Sequence, residues 1–356
     1  MIDWTKSMSQ TFEYYKVDPI SWGITEKLNT VISSKVTFDI DSESISSANI
    51  TLSESVGENY IRIYLICNQD DIDYRFCLGT YLIQTPNISF NGTINNISVD
   101  AYSPLLELKE KYTPIGYYIP KNTGILDTVG HICRDVIRPP VVIASDTEQT
   151  KMESGFVSEV NETYLAFLSS ALKVADYRFD LDDEGRILFT PIDKLTYIRP
   201  VWTYNDDNSS ILYPDIKSEK DLYGIPNVVE VLYSSGTEKV FARVENHDPT
   251  SPTSIESRGR EIVHRDTSPP FSIAPSQTIL NQYAERTLEN MSMLKNTITY
   301  KHGYCSVRVG DGVRINYEKA GIKNVIAKVI KQSISCEPGC PVEETAIFMS
   351  TLYNSH

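Results

Sequence analysis

Apolar and polar residues alternate over positions 35–52, which is the period of a half-buried β-strand. Residues typical of strands continue through 60–67 and 74–83. The polar segment Asn68-Gln69-Asp70-Asp71 separates these two runs. The pattern therefore predicts a hairpin whose turn lies at those four residues.

Two further strand-like runs, 88–90 and 97–102, lie on either side of Asn91-Gly92, a dipeptide typical of tight hairpin turns. Many short strands separated by frequent turn signals are typical of a small barrel or sandwich. The sequence therefore predicts a first β-barrel domain over residues 1–111.

The middle of the chain changes to helical spacing. Apolar residues recur three and four positions apart in 125–136, and 162–172 combines good helix formers with a continuous apolar face. A hairpin is predicted over 177–190 around the turn Asp182-Asp183-Glu184-Gly185, where glycine allows a positive φ. A helix followed by a hairpin indicates a separate α+β domain, residues 112–200.

Strand signals resume with a hairpin over 227–244 and return between 305 and 352. Between them, a stretch rich in Pro, Ser and Thr leads into an amphipathic helix. We therefore predict a second, discontinuous β-barrel formed by 201–246 and 301–356, with 247–300 as an inserted loop and helix. The predicted fold class is β-rich α+β: two small, tube-like β-barrel domains, a helix-hairpin α+β domain and an inserted helical arm.

Charge and composition narrow the possible functions. The chain of 356 residues has 33 Lys and Arg against 47 Asp and Glu, a net charge of -14, which argues against a sequence-independent nucleic-acid coat. No apolar run approaches the about 18 residues of a membrane helix, so no membrane span is expected. The N-terminal residues lack the pattern of a signal peptide, so we expect folding in a cytoplasm and six reduced cysteines.

No catalytic or metal-binding motif stands out. The five histidines have no metal-ligand spacing, and Pro-Gly inside Cys336-Glu337-Pro338-Gly339-Cys340 indicates a reverse turn with incidental thiols. The acidic residues at 180–184 lack the spacing of a calcium loop, so we interpret them as a solvated hairpin tip. We therefore predict no catalytic residues, no metal, no cofactor and no enzymatic activity.

The succession of segments carries more information than any single motif. In chain order they are Phe76-Cys77-Leu78-Gly79-Thr80-Tyr81-Leu82-Ile83, Val99-Asp100-Ala101-Tyr102, Glu162-Thr163-Tyr164-Leu165, Ala175-Asp176-Tyr177-Arg178-Phe179, Asn227-Val228-Val229, Asn246-His247-Asp248-Pro249 and Val309-Gly310-Asp311-Gly312-Val313. This order resembles the tail hub proteins of bacteriophages, the baseplate hub family of contractile-tailed phages and its relatives in phage-like particles. The resemblance covers nearly the whole chain.

The resemblance implies a structural role. In that family a homotrimer presents six barrels as a pseudo-sixfold ring, which joins the hexameric tail tube to a trimeric spike. The implied partners are the tail tube protein, the spike or tail-tip protein, the tape-measure protein and other baseplate proteins. DNA would pass through the central channel without specific binding, and the implied location is the virion tail baseplate or tip, assembled in the host cytoplasm.

Interface residues follow from the same resemblance. Turns between barrel strands are candidates for contact with the tube, and the inserted helix is a candidate for contact with the spike or baseplate. The tube candidates are Asn68, Gln69, Asp70, Asp71, Glu318 and Lys319; the spike or baseplate candidates are Ile279, Tyr283 and Arg286. Two alternatives remain open: a receptor- or carbohydrate-binding module with exposed aromatic residues, and a tail-associated cell-wall hydrolase with converging carboxylates or a Cys-His pair.

Overall fold

A computed structural model describes residues 2–90, 95–143, 150–152, 154–192, 198–208, 210–235, 238–271 and 274–352. The turn predicted at Asn91-Gly92 lies outside these residues. The first part of the chain forms seven strands: β1 (Ser9–Val17), β2 (Ile24–Leu28), β3 (Val31–Asp39), β4 (Ser46–Leu52), β5 (Tyr60–Gln69), β6 (Ile72–Phe90) and β7 (Asn95–Tyr102).

The middle part mixes helices with short strands. Its elements are α1 (Leu106–Glu110), β8 (Tyr118–Ile119), α2 (Ile125–Val136), β9 (Phe156–Val157), α3 (Tyr164–Val174), β10 (Tyr177–Leu181) and β11 (Ile187–Pro191). The predicted helices and hairpin are confirmed. The side-chain oxygen of Thr163 accepts a hydrogen bond from the Ala166 backbone N–H and so caps the start of α3.

The last part returns to strands. Its elements are β12 (Pro200–Asn205), β13 (Leu212–Lys220), β14 (Val228–Ser235), β15 (Glu238–Glu245), α4 (Ile255–Arg258), β16 (Val263–Asp266), α5 (Gln277–Met291), β17 (Met293–Gly303), β18 (Gly312–Tyr317), β19 (Ile322–Ser335) and β20 (Pro341–Thr351). The chain is thus rich in β-structure, as predicted.

A 13-stranded sheet combines strands from both ends of the chain. Its main path is β13-β17-β20-β19-β3-β4-β7-β6-β5-β1-β2, with β18 paired to β19 and β12 paired to β18. The two ends meet where β19 pairs antiparallel with β3, from Lys331 opposite Asp39 to Ser335 opposite Lys35. Side chains from both sides of this junction, such as Val36 and Ile334, belong to one hydrophobic core. The limits of the two predicted barrel domains stay predictions.

The sheet contains two three-strand meanders of the same design. In the first, the long strand β6 pairs with β5 along its first half and with β7 along its second half. In the second, β19 pairs in the same way with β18 and then with β20. Further strands flank each meander equivalently, with β4 beside β7 and β17 beside β20. The flanking strand at the other side differs in direction, because β1 is antiparallel to β5 whereas β12 is parallel to β18.

Two smaller cores lie outside this sheet. The middle part has its own core, in which α2 and α3 pack with the β10–β11 hairpin. The second core lies between α5 and the three-stranded sheet β15-β14-β16, with Val229, Val231, Leu280 and Leu288 buried in it.

This second core changes the interpretation of 227–300. The sequence pattern predicts that the 227–244 hairpin belongs to the second barrel, but the hairpin pairs with β16 and not with the 13-stranded sheet. The physical reason is that the apolar stripe of α5 needs a partner, and the inner face of this hairpin supplies it. Helix α5 therefore packs as part of a small α+β unit and is not a free arm.

Candidate assembly interfaces

The two turns predicted to meet the tube occupy equivalent positions in the two meanders. Asp70 and Asp71 form the β5–β6 turn, and both have left-handed backbone conformations, with φ of 53° and 60°. Two successive positive φ values fit the twist of the flanking strands and make this a tight turn. Both carboxylates are exposed at its tip, while Asn68 at its base donates to the Asp73 carboxylate at 2.7 Å.

Gln69 does not share that exposure. Its side chain is only 7% exposed, and its amide bonds to the backbone of Asp3, accepting from the N–H and donating to the carbonyl, both at 2.8 Å. The residue therefore fixes the N-terminal segment against β5 rather than offering a polar group to a partner. Sequence reasoning missed this because Asp3 lies 66 positions away.

The second turn lies between β18 and β19. Glu318 and Lys319 are exposed in a short 3-10 turn that ends at Gly321, whose φ is 73°. The Lys323 ammonium lies 3.8 Å from the Glu318 carboxylate. Within one chain the structure does not bring the two turns together, because β3, β4 and β7 separate the hairpins in the sheet.

The three candidates on α5 divide into two groups. Ile279 and Arg286 are exposed. Tyr283 is partly buried: its hydroxyl donates to the Asp266 carboxylate at 2.8 Å, and its ring packs on Phe271. Gln277, which the sequence did not indicate, is also exposed. Its side-chain amide donates to the backbone carbonyl of Phe241, a residue that is itself about half exposed.

The acidic hairpin tip 182–185 packs against the large sheet and is only partly exposed, whereas the sequence pattern predicts a solvated tip. The carbonyl oxygen of Glu184 accepts three hydrogen bonds from the large sheet: Trp22 Nε1 at 2.9 Å, Arg62 Nη2 at 3.2 Å and Thr80 Oγ1 at 2.7 Å. The donors come from three separate segments of the first part of the chain. Asp183 forms an ion pair with Arg308 in the last part. The tip therefore joins the middle unit to both halves of the sheet.

A buried carboxylate forms a second link between the middle unit and the sheet. Glu107, on α1, accepts a hydrogen bond from the Tyr60 hydroxyl at 2.7 Å and from Arg138 Nε at 2.8 Å. Burial alone would raise the pKa of Glu107, but the hydrogen bonds from Arg138 and Tyr60 outweigh it and lower the pKa. The carboxylate is therefore charged and holds α1 against β5.

Polar residues also meet inside the second half of the sheet. Glu344 and His302 are fully buried, with His302 Nε2 3.3 Å from a Glu344 carboxylate oxygen. The carboxylate also accepts from the Tyr300 hydroxyl at 2.6 Å and from Gln332 Nε2 at 2.7 Å. The Tyr204 hydroxyl lies 3.4 Å from the thiol of Cys305, which is also fully buried. A Cys-His-Glu group is thus present, but it is closed to a substrate.

The remaining sequence expectations concern cysteines, metals and membranes. All six cysteines are free thiols, and 336–340 forms the turn between β19 and β20, as predicted. Among the described residues no cluster of three or more His, Cys, Asp or Glu side chains is placed to hold a metal ion. No helix in the described ranges is long and apolar enough to cross a membrane.

The fold is similar to that of several solved structures. A tail protein from Neisseria meningitidis MC58 has a TM-score of 0.61 and 12% identity, with 95% of this chain and 96% of that chain covered. The 43 kDa tail protein of prophage MuSo2 from Shewanella oneidensis has a TM-score of 0.56 and 11% identity, with 94% and 97% covered. A Francisella PdpA–VgrG complex has a TM-score of 0.55 and 10% identity, with 99% of this chain and 60% of that chain covered.

Sequence comparison adds nothing to this likeness: no protein-family model and no curated protein matches the chain. At these identities the similarity concerns the fold. The two meanders in one sheet and the separate middle unit are thus features of a chain with the fold of phage tail proteins, which confirms at the level of the fold the resemblance drawn from the sequence.

Proposed function

We propose that this chain is the structural hub of a phage tail baseplate or tail tip. Three copies form a pseudo-sixfold ring that joins a hexameric tail tube to a trimeric spike. The ring surrounds the channel through which the tape-measure protein and then DNA pass. The protein acts as a symmetry adaptor and has no catalytic role, and its location is the tail of the particle.

The observation that carries this proposal is the repeated meander. A threefold ring can match a sixfold tube only if each subunit offers two similar surfaces. The β5–β6–β7 and β18–β19–β20 meanders provide such a pair within one chain. The similarity in fold to phage tail proteins and to a VgrG complex supports the same role.

The net charge of -14 fits a conduit for DNA. Negative walls repel phosphate groups, so a DNA strand slides past without long-lived contacts. A channel lined mainly with Lys and Arg would contradict this part of the proposal.

Two features weigh against the alternative functions. A carbohydrate-binding platform built on tryptophan is disfavoured, because Trp4 and Trp22 are buried and Trp202 packs against the core of the large sheet. A hydrolase needs reactive groups in a cleft, but His302, Cys305 and Glu344 are fully enclosed.

The proposal is tested by the mass of the purified chain, measured by light scattering alone and with its tube protein, followed by negative-stain class averages. We expect a species of three times the chain's 40.2 kDa and rings with a pseudo-sixfold outline. A chain that stays monomeric with every tail protein, and instead binds or cleaves cell-wall glycan, would overturn the proposal in favour of a tip-associated binding module or hydrolase.

A further inference from the structure

Two segments of the middle unit run antiparallel beside each other. The Thr113 backbone N–H donates to the Glu162 carbonyl, and the Ser158 N–H donates to the Tyr117 carbonyl, both at 2.9 Å. Strands β8 and β9 continue the same pairing. Between the two hydrogen bonds both segments leave the pairing and form a turn, so that two turns lie side by side.

Both turns have the same backbone design. Residues 114–117 and 159–162 each form a turn closed by a hydrogen bond from the N–H of its last residue to the carbonyl of its first, at 3.0 and 3.4 Å. The third residue of each turn has a positive φ, 73° at Gly116 and 64° at Asn161. This is the arrangement of a type II turn, which places the second residue at the tip.

The tips of both turns are aliphatic. Ile115 is 88% exposed and Val160 is 74% exposed. The register that pairs Tyr118 with Val157 places these two side chains opposite each other. Three neighbouring side chains are also more than half exposed: Tyr112, Tyr118 and Val157. We call these five residues the apolar knob. Exposed apolar side chains that cluster in this way mark a contact site.

The charges beside the apolar knob are acidic. Glu110 precedes it at the end of α1, and Glu159 lies next to Val160. Both residues are exposed, and in the part of the chain that the structure describes neither carboxylate has an ion-pair partner. The nearby Lys111 is engaged elsewhere, because its ammonium group donates to the Val136 carbonyl on α2.

This combination of apolar and acidic groups favours one kind of occupant. Surfaces that bind lipid surround their apolar residues with Lys and Arg, so exposed carboxylates disfavour a membrane. A twofold contact between two knobs would bring the same acidic residues of both copies close together. A groove on a different protein, with an apolar floor and Lys or Arg at its rim, matches both the apolar and the charged groups.

The size of the apolar knob indicates that several copies act together. Its exposed surface is on the order of 500 Å², whereas a stable interface between two proteins takes about 800 Å² from each partner. In the ring of the proposed function the middle unit occurs three times. A partner with threefold symmetry can engage all three knobs at once, and linked contacts bind far more tightly than a single one.

The attachment of the middle unit indicates which end of the ring carries the knob. Glu107 on α1 binds the hydroxyl of Tyr60, the first residue of β5. The predicted tube turn, with Asp70 and Asp71, follows the last residue of that strand. Strand β5 has ten residues, which is about 30 Å. A ring that turns Asp70 and Asp71 toward the tube therefore carries α1, and the knob that follows it, toward the spike.

We propose that the apolar knob docks into an apolar groove on the trimeric spike or tail-tip protein, with Lys or Arg side chains of that protein facing Glu110 and Glu159. This contact rests on the proposed function, because the number and the position of the knobs follow from the ring. It adds the middle unit to the exposed residues of α5 as a surface that meets the spike.

The test measures the dissociation constant between the purified full-length protein and the purified spike or tail-tip protein of the same particle by isothermal titration calorimetry. The first variant carries Ile115→Ser with Val160→Ser. A matched control carries Val174→Ser with Ile192→Ser, which makes the same kind of change on exposed aliphatic residues at the end of α3 and after β11. Circular dichroism and light scattering confirm that each variant folds and assembles as the wild type does.

We expect Ile115→Ser with Val160→Ser to raise the dissociation constant on the order of a hundredfold, because both tips lose their burial in the groove and three knobs act together. The control should bind as the wild type does. Glu110→Lys with Glu159→Lys should raise the constant about tenfold at about 50 mM salt and little at about 500 mM, because salt screens the charges. Binding to the tube protein should not change in any variant.

Three results would overturn the inference. A serine variant that binds the spike protein as tightly as the wild type would exclude the knob as the docking surface and leave the hub function in place. A wild-type ring that binds the tube protein but no spike protein would exclude the contact altogether. Loss of binding to the tube protein in the serine variant, or to vesicles of phosphatidylethanolamine and phosphatidylglycerol, would assign the knob to a different partner.

Failure of the hub function has a separate signature. A chain that forms no threefold ring in light scattering, alone or with its tube protein, would remove the ring and the three-knob contact with it. A ring that forms normally but does not bind the spike protein through the knob would remove only the inference.

Discussion

His302 and Glu344 form an ion pair inside the second half of the sheet, with His302 Nε2 3.3 Å from the carboxylate. The other ring nitrogen, Nδ1, lies 2.6 Å from the carbonyl oxygen of Gly303. Nε2 also lies 3.1 Å from the Tyr204 hydroxyl. Burial disfavours charge on the ring, but the Glu344 carboxylate outweighs it and raises the pKa of His302, so the imidazole is charged at neutral pH. The pair ties β17 to β20 in a core that is otherwise mostly apolar.

Removing one member of this pair should lower the stability of the fold. We expect Glu344→Gln to lower the free energy of unfolding by about 3 kcal/mol, because it leaves a buried charge without its partner. Urea denaturation measures the difference. Glu343→Gln is a matched control at the next position, where the carboxylate is half exposed and lies 3.3 Å from Lys301. That change should cost less than about 1 kcal/mol. Equal losses in the two variants would contradict the role given to Glu344.

The pair also predicts a dependence of stability on pH. Burial disfavours the charged form of His302, but the Glu344 carboxylate and the hydrogen bonds outweigh it and raise the pKa of His302 to about 10. The unfolded chain has the ordinary pKa of about 6.5. The stabilisation is therefore complete below about pH 6.5 and declines as pH rises toward about 10.

Urea midpoints between about pH 7 and about pH 10 test this dependence. The wild type should lose stability steadily over that interval, and His302→Gln should show a flatter profile because it has no proton to lose. Parallel profiles for the two proteins would show that His302 does not carry the effect.

Gly185 should tolerate no side chain. Its φ is 76°, and a Cβ atom there would lie 2.9 Å from Thr80 Cβ and 3.3 Å from the Thr80 carbonyl oxygen. Gly116 has nearly the same φ, 73°, but a Cβ would meet nothing within 4 Å. Gly116→Ala should therefore lower the free energy of unfolding by about 1 kcal/mol, because it introduces only the strain of a positive φ in a residue with a side chain.

Gly185→Ala adds the steric clash to that cost. We expect Gly185→Ala to lower the free energy of unfolding by about 2 kcal/mol more than Gly116→Ala. The added methyl group pushes the hairpin tip away from the sheet and weakens the hydrogen bonds that the Glu184 carbonyl accepts from it. Thermal unfolding of the two variants gives the comparison. Equal melting temperatures would show that the tip is not held against Thr80.

The cysteines should react slowly in the folded protein. Burial raises the pKa of Cys133 and of Cys336 to about 12, and that of Cys67 to about 11. A thiol with so high a pKa is rarely a thiolate at neutral pH, and only the thiolate reacts readily. A colorimetric thiol reagent should find almost no reactive cysteine in the native protein and all six after denaturation. Fewer than six after denaturation would indicate disulfides.

The sequence predicted most elements because their signals are local. The two-residue period of β3 and β4 and the helical stripe of α2 are visible within short windows, and all three elements form where expected. The burial of His302 and Glu344 could also have been predicted, because both occupy positions of alternating strands at which the neighbouring alternate residues are apolar and buried.

The contacts between distant segments could not be predicted from the sequence. Gln69 meets Asp3, and the Glu184 carbonyl meets Arg62, 122 positions away. Such contacts depend on how three units pack, which no local pattern records. The same limit explains the 227–244 hairpin, whose choice between the large sheet and β16 depends on the position of α5.

The pairing of β3 with β19 also sets the order in which this chain can fold. Asp39 and Lys331 are partners, so about 290 further residues must be made before β3 finds its neighbour. At ribosomal speeds of about 5 to 20 residues per second, that delay lasts roughly 15 to 60 seconds. During this time β3 has only β4 beside it, and its other edge is open to pairing with another nascent chain. We therefore expect this edge of β3 to be a site of wrong pairing between nascent chains until β19 emerges.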